Sequence, residues 1–219
     1  MALDCKHILE CLDEVERELF RIADHEECQR FHKNSQLTAA LLLLLRASSL
    51  LRSMLLSLQF TDLLDGFHLI TRGFEETWNL AHDLRLRAHR DRAARWLAGQ
   101  KDSWSARIGV ILSFAIARGH REPTLHRDYG LLSELAHPTR SAAENSVTLC
   151  GIRLGIDGAK AVITGEQENC ESRVTAALYR LLWLIFDQDS KFIAIPVVQN
   201  NMPLSTQFVR EYKQIDPAT

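Results

Sequence analysis

Apolar residues recur at helical spacing from the first turns of the chain. Ile8, Leu12, Val15, Leu19 and Ile22 are spaced 4, 3, 4 and 3 apart, the stripe of an amphipathic helix. Its outer face carries the neighbours Glu14/Arg17, Glu14/Glu18 and Glu18/Arg21, two attractive and one repulsive. No glycine precedes Gly66 and no proline precedes Pro123, so the strongest breakers are missing from the first third. Ser35 is positioned to cap a second helix, Gln36 to Gln59, apolar almost all round at Leu41–Leu45 and therefore expected to be central. Its later half turns Arg46, Ser49 and Ser53 to one side. Thr61 or Asp62 can cap a third helix that presents Phe67, Ile70, Phe74, Trp78 and Ala81 to a core.

A fourth helix is expected over Arg90–Leu97, ending near Gly99, and a fifth from Asp102 or Ser103 to Gly119. The sixth starts near Pro123 and stops at His137, because Pro138 disfavours helical geometry just before it. The pattern then changes. Val147–Ile156 and Ala159–Thr164 are β-branched runs joined by Asp157-Gly158, which predicts a hairpin, with Gly151 as a bulge. After Gly165 a seventh helix sets Val174, Leu178, Leu181 and Ile185 on one stripe and Tyr179, Trp183 and Phe186 on another. Pro203 can start a last helix to about Lys213. The expected fold class is all-α: a single helical-bundle domain over 1–219, with seven or eight helices and one inserted hairpin at 147–164.

Two narrow polar stripes stand out on this scaffold. On the third helix Arg72, Glu76, Asn79 and Asp83 fall within about 60° of arc, opposite Phe74 and Trp78, and Arg72 can pair with Glu76. On the sixth, His126, Tyr129, Ser133 and His137 fall within about 80°, with Leu131 and Leu135 on the other side. If the two stripes face each other they line a polar cleft between the third and sixth helices. If they do not, each is the solvent face of an amphipathic helix.

Composition adds bounds. With 219 residues, 46% hydrophobic and 25% charged, the chain has the make-up of an ordinary globular domain. Five cysteines without a Cys-x-x-Cys pair are expected to be free thiols, as in a reducing cytoplasm. The start of the chain, interrupted by Asp4, Lys6, His7 and Glu10, does not read as a secretion signal. The apolar run Leu41–Leu45 is shorter than the ~20 residues of a membrane span, so no membrane is expected. Charge is uneven. Arg85 to Arg127 holds ten Lys or Arg against three Asp or Glu, in a chain of formal net charge −2. Arg85, Arg87, Arg90, Arg92 and Arg95 are the densest part, a solvated helix face or a surface for phosphate.

The run Arg72-Gly-Phe-Glu-Glu76, taken with Tyr129-x-x-Leu132-Ser133-x-x-x-His137-Pro138, resembles a bacterial family of helical proteins of unknown function. That family is similar in turn to the HEPN domains of toxin–antitoxin and phage-defence proteins. The resemblance implies a HEPN-like bundle linked to RNA or phage defence. HEPN ribonucleases use an Arg followed after four to six residues by a His, which here falls on Arg121 and His126. The implied chemistry is metal-free RNA cleavage, with His126 as general base on a ribose 2′-OH, Arg121 stabilising phosphorane charge, and His137 further along the same stripe.

A metal is not expected. Glu134-x-x-His137 has the spacing of di-iron bundles and Asp65-x-x-His68 echoes it, but the full ligand set is missing. There is no phosphate-binding glycine loop, zinc cysteine set or Gly-x-Ser-x-Gly elbow, and no cofactor is expected. The alternative to catalysis is a binding or oligomeric scaffold whose polar groups fix helix register. A homodimer would then cover surplus apolar surface such as Leu55, Leu56 and Leu58, with RNA or another protein as further partners.

Overall fold

A computed structural model describes residues 4–24, 34–58, 64–100 and 155–215. Among these the chain is helical: α1 Cys5–Asp24, α2 Ser35–Ser57, α3 Leu64–Leu84, α4 Arg90–Leu97, α5 Gly155–Phe186 and α6 Pro203–Ile215. The fifth and sixth helices expected from sequence lie outside the described residues, as do Thr61 and Asp62.

The stripe on α1 is the side that packs. Ile8, Leu12, Val15, Leu19 and Ile22 are all buried, each worth roughly 1.5–3 kcal/mol relative to exposure. The polar face departs from expectation. Glu14 and Glu18 are 6% and 2% exposed, because the C-terminal segment lies over them. α2 begins one residue earlier than expected. Asn34, not Ser35, caps it, its side-chain oxygen accepting the N–H groups of Gln36 and Leu37 at 3.1 and 3.3 Å. α2 packs along α3 and also touches α1, α4 and α5, as its all-round apolar surface requires. By length and composition α2 is apolar enough to cross a membrane, which the short run Leu41–Leu45 did not suggest. Here 56% of its most apolar stretch is buried against the other helices. Arg46 and Ser49 point outward, as expected. Leu55 and Leu58, however, are buried, and only Leu56, at 48% exposure, belongs to an apolar surface.

α3 buries Phe67, Phe74, Trp78 and Ala81, with Ile70 partly covered. α4 ends where Gly99 takes φ +70°. The Gly99 N–H bonds the Trp96 carbonyl at 3.0 Å and the Gln100 N–H bonds that of Arg95 at 3.1 Å, closing a Schellman motif.

The hairpin expectation is corrected over its second half. Residues 155–164 form the first turns of α5, with Asp157-Gly158 inside the helix rather than at a turn. A dipeptide that suits a tight turn does not impose one when the chain continues into a long helix. Residues 147–154 lie outside the described part. Val174, Leu178, Leu181 and Ile185 on α5 are buried, as is Tyr179. After α5 the chain turns through two carboxylates that accept backbone N–H groups, Asp187 from Asp189 and Asp189 from Lys191. It then runs antiparallel to the end of α3, where Leu86 and Phe192 form an isolated bridge. α6 starts at Pro203, as read from sequence.

Candidate functional site

The polar stripe of α3 does not stay at the surface along its length. Arg72 and Glu76, near its middle, are partly exposed and pair at 2.9 Å, the i,i+4 contact their spacing predicts. One and two turns further on, Asn79 and Asp83 are buried. Asn79 donates its amide to the Glu75 carbonyl at 2.8 Å. Asp83 binds Arg92 of α4, and His89 Nδ1 lies 3.4 Å from the same carboxylate. His89 sits in a single 3₁₀ turn, Arg87–His89, that joins α3 to α4.

A second polar contact lies beside this stripe and was not read from sequence. Arg180 of α5 is buried and pairs with Glu75. Its guanidinium lies over the Trp78 ring, 4.3 Å from the centroid, and the Trp78 indole N–H donates to the Arg180 carbonyl at 2.9 Å. α3 and α5 are thus held by an ion pair, a cation–π contact and a hydrogen bond within one helical turn. Next along α3, His82 stacks nearly parallel on Trp78 at 5.5 Å, with Trp183 at 5.9 Å and Phe192 at 4.7 Å. One sequence signal pointed to Arg180: a lone charge inside the apolar run Leu178-Tyr-Arg-Leu-Leu-Trp183 has to find a buried partner.

The arginine run divides. Arg87, Arg90 and Arg95 are exposed. Arg85 and Arg92 are buried, which removes them from any solvated basic face. Arg85 is 0% exposed. Its Nε donates to the Ile193 carbonyl at 3.0 Å, Nη1 to that of Leu184 and Nη2 to that of Asp187 at 3.4 Å, with the Asp187 carboxylate 3.7 Å away. Burial pushes its pKa down to about 10, partly offset by Asp187, so it remains charged at neutral pH. Arg87, though exposed, also donates to the Ser190 carbonyl, at 2.8 Å.

Asp83, Arg85, Arg92 and Arg180 are buried and find their partners within the fold, whereas Arg72, Glu76, Arg87, Arg90 and Arg95 are partly or fully exposed. Cys11 is fully buried. Burial, with the nearby Glu14 charge, pushes its thiol up to about 12. Among the described residues no group of three His, Cys, Asp or Glu could hold a metal ion. Arg121, His126, Tyr129, Ser133 and His137 lie outside the described residues, so only the α3 side of the expected cleft is placed. The chain matches no known protein family, no curated protein and no solved structure.

Proposed function

We propose that the chain is a non-catalytic helical scaffold that works by binding, its inner polar residues fixing the register of the helices. The observation that carries this reading is the inward commitment of the α3 polar groups. Glu75 is paired to α5 through Arg180 and Asp83 to α4 through Arg92. Buried pairs of this kind are costly to break and specify one arrangement over others. Self-association is the use this reading implies, in a cytoplasmic setting. Exposed Leu42, Leu56 and Leu69 add apolar surface to that argument.

The second reading is an RNA-linked, HEPN-like protein. Exposed Arg87, Arg90 and Arg95 favour it, since they leave positive charge at the α3–α4 corner. In that reading Arg121 and His126 carry out cleavage without metal.

Purified protein incubated with end-labelled RNA, with and without chelator, separates the two. The scaffold reading expects intact RNA, and light scattering expects a dimer. RNA cleavage that persists in chelator and disappears in His126→Ala and Arg121→Ala would replace the scaffold reading with the ribonuclease one.

A further inference from the structure

The C-terminal segment is tied to α1 through two carboxylates that the sequence places on the outer face. Glu14 and Glu18 are four residues apart, hence on one edge of α1. Glu14 accepts the N–H groups of Leu204 and Ser205 at 3.1 and 2.9 Å and the Ser205 hydroxyl at 2.9 Å. It thereby caps α6, whose own preceding residue, Met202, has no side chain able to do so. Glu18 accepts the Val198 N–H at 2.7 Å and the Asn201 amide at 2.8 Å. Arg21, bound to Glu18 at 2.9 and 2.7 Å, reaches the Pro196 carbonyl at 3.3 Å. The remaining ties are the Ser205 hydroxyl to the Cys11 carbonyl at 3.3 Å, the Phe208 ring 6.2 Å from that of His7, and apolar burial: Phe208 and Met202 are buried, and Tyr212 stacks on Tyr179 at 4.3 Å.

We propose that residues 196–215 are a detachable arm clasped by Glu14 and Glu18, and that acid releases the arm while α2 and α3 stay folded. The donors facing both carboxylates are backbone N–H groups, one hydroxyl, one amide and the Arg21 guanidinium, none of which titrates in the acid range. A protonated carboxyl turns one acceptor into a donor that points at donors, so protonation opposes docking. The titratable neighbours on α1 itself are Arg21, paired with Glu18, Arg17, one turn from Glu14, Cys11, on which both Glu14 and Glu10 act, and His7, whose ring lies 6.2 Å from that of Phe208 in the arm. From α2, Arg52 is committed to Asp13 and Glu16. From α5, Glu171 acts on Cys5, further along α1. Burial by itself would raise the Glu18 pKa, but hydrogen bonds from Arg21, Asn201 and the Val198 N–H outweigh it and hold it below the ordinary 4.5. The Glu18 part of the clasp is therefore complete above that value and is lost as pH falls through the lower folded one. Release uncovers Tyr179, on which Tyr212 now stacks.

Hydrogen exchange of the full chain tests this, comparing α6 with α3 at neutral pH and through an acid series that passes well below the ordinary carboxylate value of 4.5, corrected for intrinsic exchange. The expected result is a loss of protection in α6 at least ~10-fold greater than in α3. Glu14→Gln/Glu18→Gln at neutral pH should reproduce the same selective loss. Equal loss in both helices, or unchanged protection in α6, overturns the proposal. If the double variant does not fold, Glu18→Gln alone and an acid series on the unaltered chain take its place: selective loss in α6 supports the clasp, and its absence overturns it.

Discussion

Replacing Arg85 by alanine should cost more stability than any other single arginine change on the α3–α4 corner. The side chain donates to three carbonyls, of Leu184, Asp187 and Ile193, and faces the Asp187 carboxylate. Its Cζ is also 5.7 Å from the Phe192 ring centroid. Truncation leaves those acceptors without a donor and Asp187 without a counter-charge, a loss of about 3–5 kcal/mol for a broken buried pair. For a domain of this size that corresponds to a melting-point drop of about 6–20 °C. Arg85→Lys should recover only part of it, since an ammonium cannot span the guanidinium fork. Arg90→Ala, on an exposed arginine five residues away, should change stability by no more than about 0.5 kcal/mol. Thermal and urea unfolding of the three variants measures the contrast. Arg85 is driven below its ordinary pKa by burial, to about 10. Keeping it charged is therefore a cost at neutral pH that is relieved only as pH rises through that value. Equal melting points for Arg85→Ala and Arg90→Ala would refute the inference that burial decides what these arginines do.

Other substitutions test separate parts of the fold. Gly99→Ala should lose about 1–2 kcal/mol, since φ is +70° and an added Cβ would meet nothing that compensates, and a shifted urea midpoint would show it. Gly73→Ala should move the midpoint the other way, by about 0.5–1 kcal/mol. It lies inside α3, and its added Cβ would meet only Leu50 methyl carbons at 3.7 and 3.8 Å, ordinary contacts. Glu18→Gln should flatten the acid limb of stability against pH, because its depressed folded pKa is what makes stability fall as the carboxyl protonates; parallel unfolding curves from neutral to acid pH check the slope. Arg180→Ala should destabilise by about 3–5 kcal/mol by stranding Glu75 in a largely buried position, read from the loss of melting temperature.

What the sequence determined by itself was local. The 4-3-4-3 stripe of α1, the core face of α3, the extent of α4 with its stop at Gly99, and the start of α6 at Pro203 all follow from spacing and from residues that fit or break a helix. The Arg72–Glu76 pair was legible for the same reason, since both partners share one helix face. The hairpin expectation failed over residues 155–164 because turn propensity is a weak local preference, and the segment runs on into the long helix α5. The tertiary structure decided the fate of the charges that end up buried. Glu14 and Glu18 look like solvent-facing helix residues, yet their partners are 180 to 191 residues further along the chain. Arg85 and Arg90 belong to one basic run, yet the first is enclosed by the ends of α5 and the segment after it, while the second faces water. Periodicity reports which side of a helix is apolar. It carries no information about which distant donor or acceptor will cover a polar side, because that depends on how helices far apart in sequence pack.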